Sequence, residues 1–199
     1  MRVDQQLIAD MIPHGSRVLD VGSGDGHLID YLFNHKGCEA QGIEIDMRSV
    51  TQSVAHGLPV IQGDADHDLA DYPAHTFDYV VLQRTLQAVE KPREVLKQLL
   101  RIGRYAVVSF PNFGHWRLRW QLLHTGRMPM TPVWNTPWYI TPNIHPCTIY
   151  DFMALCEAEN YKVEKWLAVK EDGCSLPWHR SIRLANLFGE QALFLLRKA

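Results

Sequence analysis

The chain has 199 residues, of which 46% are hydrophobic and 21% charged, and its formal net charge is −2 at pH 7. These values are typical of a single soluble globular domain, and they exclude a general electrostatic attraction to nucleic acid or to an anionic membrane. No apolar run approaches the roughly 20 residues of a membrane helix, and no signal-peptide core is present, so we expect one cytoplasmic domain over residues 1–199. The four cysteines form no C-x-x-C pair, so we expect free thiols and no metal site.

Alternating strand and helix patterns along the chain predict an α/β fold, with a mostly parallel sheet covered by helices on both faces. A leading helix over about residues 3–12 precedes the first strand. The predicted strands lie near residues 17–21, 39–45, 58–62, 77–82, 104–110, 161–169 and 191–196, with helices between them. Thr148 is a suitable N-cap for a helix near residues 148–158, and Asp151 can complete the capping pair.

The first strand runs into a turn with glycines at 22, 24 and 26, followed by the start of a helix. In this arrangement backbone N–H groups can face a bound ligand, and glycine avoids a Cβ that would collide with it. The spacing lacks the third glycine of the dinucleotide fingerprint G-x-G-x-x-G. Asp20 and Asp25 flank the turn, where they would repel a pyrophosphate and attract a sulfonium or ammonium group. The turn therefore favours a cationic ligand.

Three later strands end in residues that suit a nucleoside. Glu44 ends the second strand about 20 residues beyond the turn, where a carboxylate can accept hydrogen bonds from both hydroxyls of a ribose. The third strand runs into Gly63, Asp64 and Ala65, and the fourth ends at Gln83. In a parallel sheet these strand ends share one edge, so we expect these residues to line one site.

The glycine turn resembles motif I of the class I S-adenosylmethionine-dependent methyltransferases. The resemblance implies a Rossmann-like fold with a seven-stranded, mostly parallel sheet whose last strand is inserted antiparallel. It also implies that Asp64 accepts a hydrogen bond from the adenine amine, that the N–H of Ala65 reaches the ring, and that the ligand is S-adenosylmethionine or S-adenosylhomocysteine. The expected ligand-binding residues are Asp20, Gly22, Ser23, Gly24, Gly26, Glu44, Ile45, Asp64, Ala65 and Gln83.

An insertion at about residues 111–147 departs from a minimal methyltransferase domain, and we call it the aromatic segment. It starts as a loop, continues as an amphipathic helix and holds four of the six tryptophans. Three interpretations fit such a segment: a cover for the rim of the sheet, a substrate lid, or a partner interface. An RNA-stacking platform is disfavoured because no wider basic patch accompanies it. The candidate partner or lid residues are Trp116, Arg117, Trp120, Trp134, Trp138 and His145.

The glycine turn, combined with residues 110–116 and 138–148, resembles the MetW family of bacterial methionine-biosynthesis proteins. The resemblance covers essentially the whole chain. The family implies association with MetX, the homoserine O-acyltransferase, and support or regulation of that acyl transfer. It implies no methyl acceptor.

Two functions remain open from the sequence. In the first, the protein is a ligand-binding partner that modulates the acyltransferase. In the second, it is a methyltransferase for a small molecule, with Arg84, Arg117 or Arg119 binding a carboxylate. Related methyltransferases carry a histidine where Ala88 stands, which removes an obvious base. His115, His145 and Glu90 are then the candidate bases, and no catalytic residue is assigned. An exposed aromatic surface over 111–147 would favour a partner, and a closed aromatic cavity an enzyme.

Overall fold

The computed structural model describes residues 2–170, 173–174, 176 and 181–199. In these residues a single seven-stranded sheet forms. Its strands are β1 (Arg17–Val21), β2 (Glu39–Glu44), β3 (Val60–Gln62), β4 (Phe77–Gln83), β5 (Gly103–Pro111), β6 (Tyr161–Val169) and β7 (Gln191–Lys198). The strand order is β3-β2-β1-β4-β5-β7-β6. Strands β1 to β5 run parallel, and β7 lies antiparallel between β5 and β6. The expected fold class is confirmed.

Helices cover both faces of the sheet, as two separate clusters of buried side chains show. One cluster includes Ile8 and Leu32, and the other includes Leu96 and Phe152. The helices are α1 (Val3–Asp10), α2 (His27–Lys36), α3 (Met47–Ala55), α4 (Pro92–Ile102), α5 (Trp116–Thr125), α6 (Ile149–Ala158) and α7 (Ile182–Phe188), with a short 3-10 helix at Asp68–Asp71. No helix in the described residues is long and apolar enough to cross a membrane.

Most predicted boundaries differ from the structure by one or two residues, and proline explains two of these differences. Helix α1 ends at Asp10 rather than near residue 12, because Pro13 disfavours helical backbone at the residue before it. Strand β3 begins at Val60 rather than 58, since Pro59 has no N–H to donate. Thr148 caps α6 as predicted: its hydroxyl accepts from the N–H of Asp151, and the Asp151 carboxylate accepts from the N–H of Thr148.

The strand order places a crevice at the carboxyl ends of β1, β2 and β4. Strand β1 is the first in the chain and lies between β2 and β4, so the chain leaves it toward one side and later returns to the other. Such a reversal point is where open α/β sheets bind ligands. The residues that follow these strands, including Gly22, Ile45 and Arg84, are therefore brought to one edge.

Candidate functional site

A cleft of about 180 Å³ opens at this edge of the sheet. Five of the ten predicted ligand-binding residues line it, and they are Gly22, Glu44, Ile45, Asp64 and Ala65. The fold therefore brings together residues that are far apart in the chain.

The backbone N–H groups of the glycine turn donate hydrogen bonds within the protein. Those of Gly22 and Ser23 donate to the Ile43 carbonyl at 2.8 and 3.2 Å. The N–H of Gly24 donates to Glu44 Oε2 at 2.7 Å. These three N–H groups therefore have partners within the protein, and contact between the turn and a ligand stays a prediction. An anion-binding cradle needs donors directed outward, so this arrangement does not suit a pyrophosphate.

Glu44 is buried and fixes the geometry of the cleft. Its Oε1 accepts from the N–H of Asp46 at 2.9 Å, while Oε2 holds Gly24. A carboxylate has about four lone-pair positions, so Glu44 retains acceptor capacity after these two bonds. Ile45, directly after it, exposes its side chain at the cleft. An acceptor beside an apolar surface suits a ribose with its attached base.

Asp64 is held in place by its own turn. Its Oδ1 accepts from the N–H of Asp66 at 2.8 Å, and its Oδ2 lies 3.0 Å from His67 Nδ1. The bond from Asp66, together with the contact to His67, lowers the pKa of the Asp64 carboxyl. The carboxylate is therefore charged at neutral pH and can serve only as an acceptor.

Asp20 lies buried behind the cleft wall, at the position before Val21 and Gly22. Its Oδ1 has no hydrogen-bond partner among the described residues. Burial raises the pKa of the Asp20 carboxyl to about 7, with the charges of Glu44 and Asp25 adding to the effect. A buried, unpartnered carboxylate is stabilised by a nearby positive charge, so this acid favours a cation in the cleft.

Two predicted residues have contacts that point elsewhere, and a third is buried without a partner. The side-chain amide of Gln83 donates to Asp4 of α1 at 3.1 Å, and both residues are buried. Gly26 packs against α3 and the chain after it, because a Cβ there would come 2.6 Å from Leu58 Cδ1. The Ser23 hydroxyl is buried without a partner in the described part of the chain. These residues shape the wall of the site but do not line the cleft.

The loop that joins β4 to α4, residues 84–91, forms another wall of the cleft. Thr85, Ala88 and Val89 line the cleft from this side. Asp66 connects the loop to the end of β3, because its carboxylate accepts from the N–H groups of residues 90 and 91 at 2.8 and 2.9 Å. The position of Thr85, Ala88 and Val89 after the carboxyl end of β4 was the sequence signal that could have predicted their place at the cleft. Nothing in the sequence distinguishes Asp66 from a solvated turn acid.

The loop at residues 84–91 is also hydrogen-bonded to the aromatic segment. Gln87 is fully buried, and its amide donates to the Pro111 carbonyl at 2.9 Å and to Cys147 Sγ at 3.3 Å. His145 completes the attachment: its N–H donates to the Gln87 carbonyl at 3.0 Å, and its Nε2 lies 3.2 Å from the Glu90 carbonyl. One short loop therefore contacts both the cleft and the two ends of the aromatic segment.

None of the six predicted partner or lid residues lines the cleft. Trp116, Trp120 and Trp138 are exposed. Trp134 is half-buried against Phe113, with ring centroids 5.1 Å apart. His145 is hydrogen-bonded to the loop at residues 84–91, as described above. Arg117 lies 3.7 Å from Glu190 in a partly buried ion pair.

Two of the candidate bases, His115 and His145, make contacts with backbone groups and do not line the cleft. His115 caps α5, where its Nδ1 accepts from the Arg117 N–H at 3.4 Å, and burial lowers the pKa of His115. His145 Nε2 contacts a backbone carbonyl instead of the cleft. Within the described residues, no histidine lines the cleft. Arg84 lines a separate cavity of about 260 Å³, together with Asn135 and Asn143 of the aromatic segment.

Comparison with known proteins gives one family and a set of similar folds. The family described as Methionine biosynthesis protein MetW matches residues 2–196. The bifunctional methionine biosynthesis protein MetXA/MetW of Rhodopirellula baltica is 34% identical over 174 residues, which cover 83% of this chain and 28% of that protein. The chain thus spans little more than a quarter of the length of this relative.

Among solved structures, a SAM-dependent methyltransferase from Mesorhizobium loti superposes with a TM-score of 0.70 at 15% identity, over 98% of both chains. A SAM-dependent methyltransferase from Thermotoga maritima, described as a possible histamine N-methyltransferase, gives a TM-score of 0.66 at 16% identity. It covers 99% of this chain and 88% of that one. At these identities the likeness shows the fold alone.

Proposed function

Since the chain belongs to the MetW family of methionine biosynthesis proteins, we propose that it binds S-adenosylmethionine or S-adenosylhomocysteine, associates with a MetX-type homoserine O-acyltransferase and modulates acyl transfer. The observation that carries the proposal is the MetXA/MetW relative, whose name joins both proteins in one chain. Fusion raises the effective concentration of one partner around the other, which favours domains that act together.

The residues of the cleft fit an adenosyl ligand. Glu44 would accept from the ribose hydroxyls, Ile45 would pack on the base, and Asp64 with Ala65 would reach the adenine edge. The buried Asp20, with its unpartnered oxygen, supports a positively charged ligand. S-adenosylmethionine, when bound, supplies a sulfonium with a transferable methyl group, and its positive charge distinguishes it from S-adenosylhomocysteine.

The loop at residues 84–91 supports modulation. A ligand in the cleft would touch Thr85, Ala88 and Val89, while the buried Gln87 of the same loop holds Pro111 and Cys147. A ligand changes partner affinity only if it binds the competent and incompetent states differently. A small shift of this loop would change the ends of the aromatic segment and so supply that difference.

A second candidate is methyl transfer to a small acid, favoured by Arg84 beside the cavity it shares with Asn135 and Asn143. That arrangement could bind a carboxylate. However, Ala88 lines the cleft where a histidine base would stand, and the candidate bases His115 and His145 hold backbone groups. The exposed aromatic side chains also favour a partner over a closed substrate cavity. The acyltransferase partner is therefore the function that we put first.

Isothermal titration calorimetry with the purified chain tests the ligand. We expect both adenosyl compounds to bind with one site per chain and NADH not to bind. Absence of heat with both would overturn ligand binding.

Co-purification with the acyltransferase of the same organism tests the partner, followed by acyltransferase rates at saturating S-adenosylmethionine and S-adenosylhomocysteine. If the chain modulates acyl transfer, at least one of the two adenosyl compounds should change the acyltransferase rate or the affinity between the two proteins. Release of S-adenosylhomocysteine from S-adenosylmethionine with a metabolite of the pathway, in the absence of complex formation, would support the methyltransferase instead.

A further inference from the structure

The aromatic segment presents a set of exposed apolar side chains outside the cleft. We call it the aromatic surface, and it consists of Trp116, Trp120, Met128, Met130, Trp138 and Tyr139. Trp120 is 59% exposed and Trp138 is 70% exposed. Large apolar side chains that cluster in this way on one segment indicate an interaction site rather than scattered surface residues. Tryptophan and methionine are also enriched at the centres of protein interfaces.

The two parts of this surface are held together. The side-chain Oε1 of Gln121 in α5 accepts from the N–H of Met130 at 2.9 Å. On the other side, Phe113 packs edge-on against Trp134. The aromatic surface is therefore one unit built by α5 and the chain that follows it, and a partner could contact both parts at once.

A cavity of about 450 Å³ opens within the surface, lined by residues that include Phe113, Met128, Met130, Trp138 and Ile144. Trp134 also lines it, and the indole Nε1 is buried with no hydrogen-bond partner among the described residues. A buried donor without an acceptor is energetically unfavourable. An apolar side chain of a partner would fill the cavity.

The charge of the segment specifies the partner further. Residues 95–150 contain no aspartate or glutamate, whereas residues 111–147 carry three arginines and three histidines. The chain as a whole is net negative, so this excess of positive charge is local. Arg119 and Arg127 are exposed. A basic rim around an apolar centre complements an acidic rim around an apolar anchor.

From these observations we propose that the aromatic surface docks an acidic, apolar-centred patch of the acyltransferase, with a partner side chain inserted in the cavity beside Trp134. The proposal rests on the proposed function for the identity of the partner. A single-stranded RNA could also stack on exposed tryptophans beside arginines. The acid-free stretch fits both, but the apolar lining of the open cavity and the MetXA/MetW relative favour the protein.

The test measures binding of the intact chain to the acyltransferase of the same organism by biolayer interferometry. Trp120→Ala and Trp138→Ala are each expected to weaken binding about 30-fold or more, which corresponds to about 2 kcal/mol for an interface hot spot. Phe33→Ala is the matched control, because Phe33 is 55% exposed on α2. Arg127→Glu is expected to weaken binding and its salt dependence, whereas Arg104→Glu at the opposite end of the sheet should not.

Each outcome decides a separate question. If the wild-type chain does not bind the acyltransferase, the proposed function fails and this inference with it. If the wild-type chain binds and the two tryptophan variants bind equally well, the interface lies elsewhere and only this inference is overturned. If the variants instead lose affinity for a single-stranded RNA oligonucleotide, measured by fluorescence anisotropy, while retaining the acyltransferase, the surface is an RNA site. Unchanged thermal unfolding of the variants establishes that the losses are local.

Discussion

Gln87 and Ala88 are neighbours in the chain with different surroundings: Ala88 lines the cleft, while the buried Gln87 amide holds the Pro111 carbonyl and Cys147 Sγ. A ligand that presses on one residue therefore acts on the other through a single peptide bond. The route from the cleft to the aromatic segment is therefore one peptide bond followed by hydrogen bonds. Four hydrogen bonds of residues 87 and 145 complete it.

Gln87→Leu is expected to uncouple the ligand from the partner. Leucine keeps the volume but leaves the Pro111 carbonyl without its donor, which should lower the free energy of unfolding by about 1 kcal/mol. Ligand and partner should each still bind, while the effect of the ligand on partner affinity should fall toward none. Partner affinity measured with and without S-adenosylhomocysteine checks this. Gln52→Leu, on the exposed face of α3, is the control, and full coupling in Gln87→Leu would contradict the route.

Glu44→Gln is expected to weaken both the glycine turn and the ligand site. The variant keeps one carbonyl oxygen, but it loses the charge that strengthens the bonds from Gly24 and Asp46. We expect the free energy of unfolding to fall by about 1–2 kcal/mol and affinity for S-adenosylmethionine to fall at least about tenfold. Urea unfolding and calorimetry measure the two effects. Glu39→Gln, exposed at the start of the same strand, should change neither.

Asp20 is expected to make the free energy of unfolding decrease as pH rises. The pKa of its carboxyl is raised from 3.8 to about 7 in the folded protein, so between these values the folded chain holds a proton that the unfolded chain has lost. The free energy of unfolding therefore falls as pH rises from about 4 to about 7. Asp20→Asn should remove this dependence and add up to about 4 kcal/mol at pH 8, since each pKa unit corresponds to about 1.4 kcal/mol.

Urea unfolding of Asp20→Asn at pH 5 and pH 8 measures that effect, with the exposed Asp71→Asn as control. The variant should also lose more affinity for S-adenosylmethionine than for S-adenosylhomocysteine, because only the former carries the sulfonium charge. An equal loss for both would mean that Asp20 does not sense the ligand's charge.

Asn112→Ala is expected to destabilise the base of the aromatic segment severely. Asn112 is fully buried, and its Nδ2 donates to the carbonyls of Asn186 and Gly189 at 2.8 Å each. Its Oδ1 accepts from the N–H of Gly114 at 3.0 Å. Loss of this network should lower the free energy of unfolding by about 3 kcal/mol or more. Asn34→Ala, exposed on α2, should stay within about 0.5 kcal/mol of the wild type by urea unfolding.

The sequence predicted the strands well because each is a short apolar run bounded by turn residues. It missed α7, which is only seven residues long and offers less than two full turns of periodicity. It predicted the members of the site that follow strand ends, such as Glu44 and Asp64. It did not predict the hydrogen-bond partners of the site residues. One example is the bond between Gln83 and Asp4, which joins residues far apart in the chain. Such contacts depend on the packed fold and leave no local pattern.

The internal bonding of the glycine turn has a consequence for the kinetics and thermodynamics of ligand capture. The amides of Gly22, Ser23 and Gly24 already have partners, so their hydrogen exchange should be slow before any ligand arrives and change little afterwards. The turn is ordered during folding, and binding need not order it again. A preorganised wall of this kind favours rapid association of the ligand without loop closure. We therefore expect a slow kinetic phase on ligand addition to come from movement of the aromatic segment.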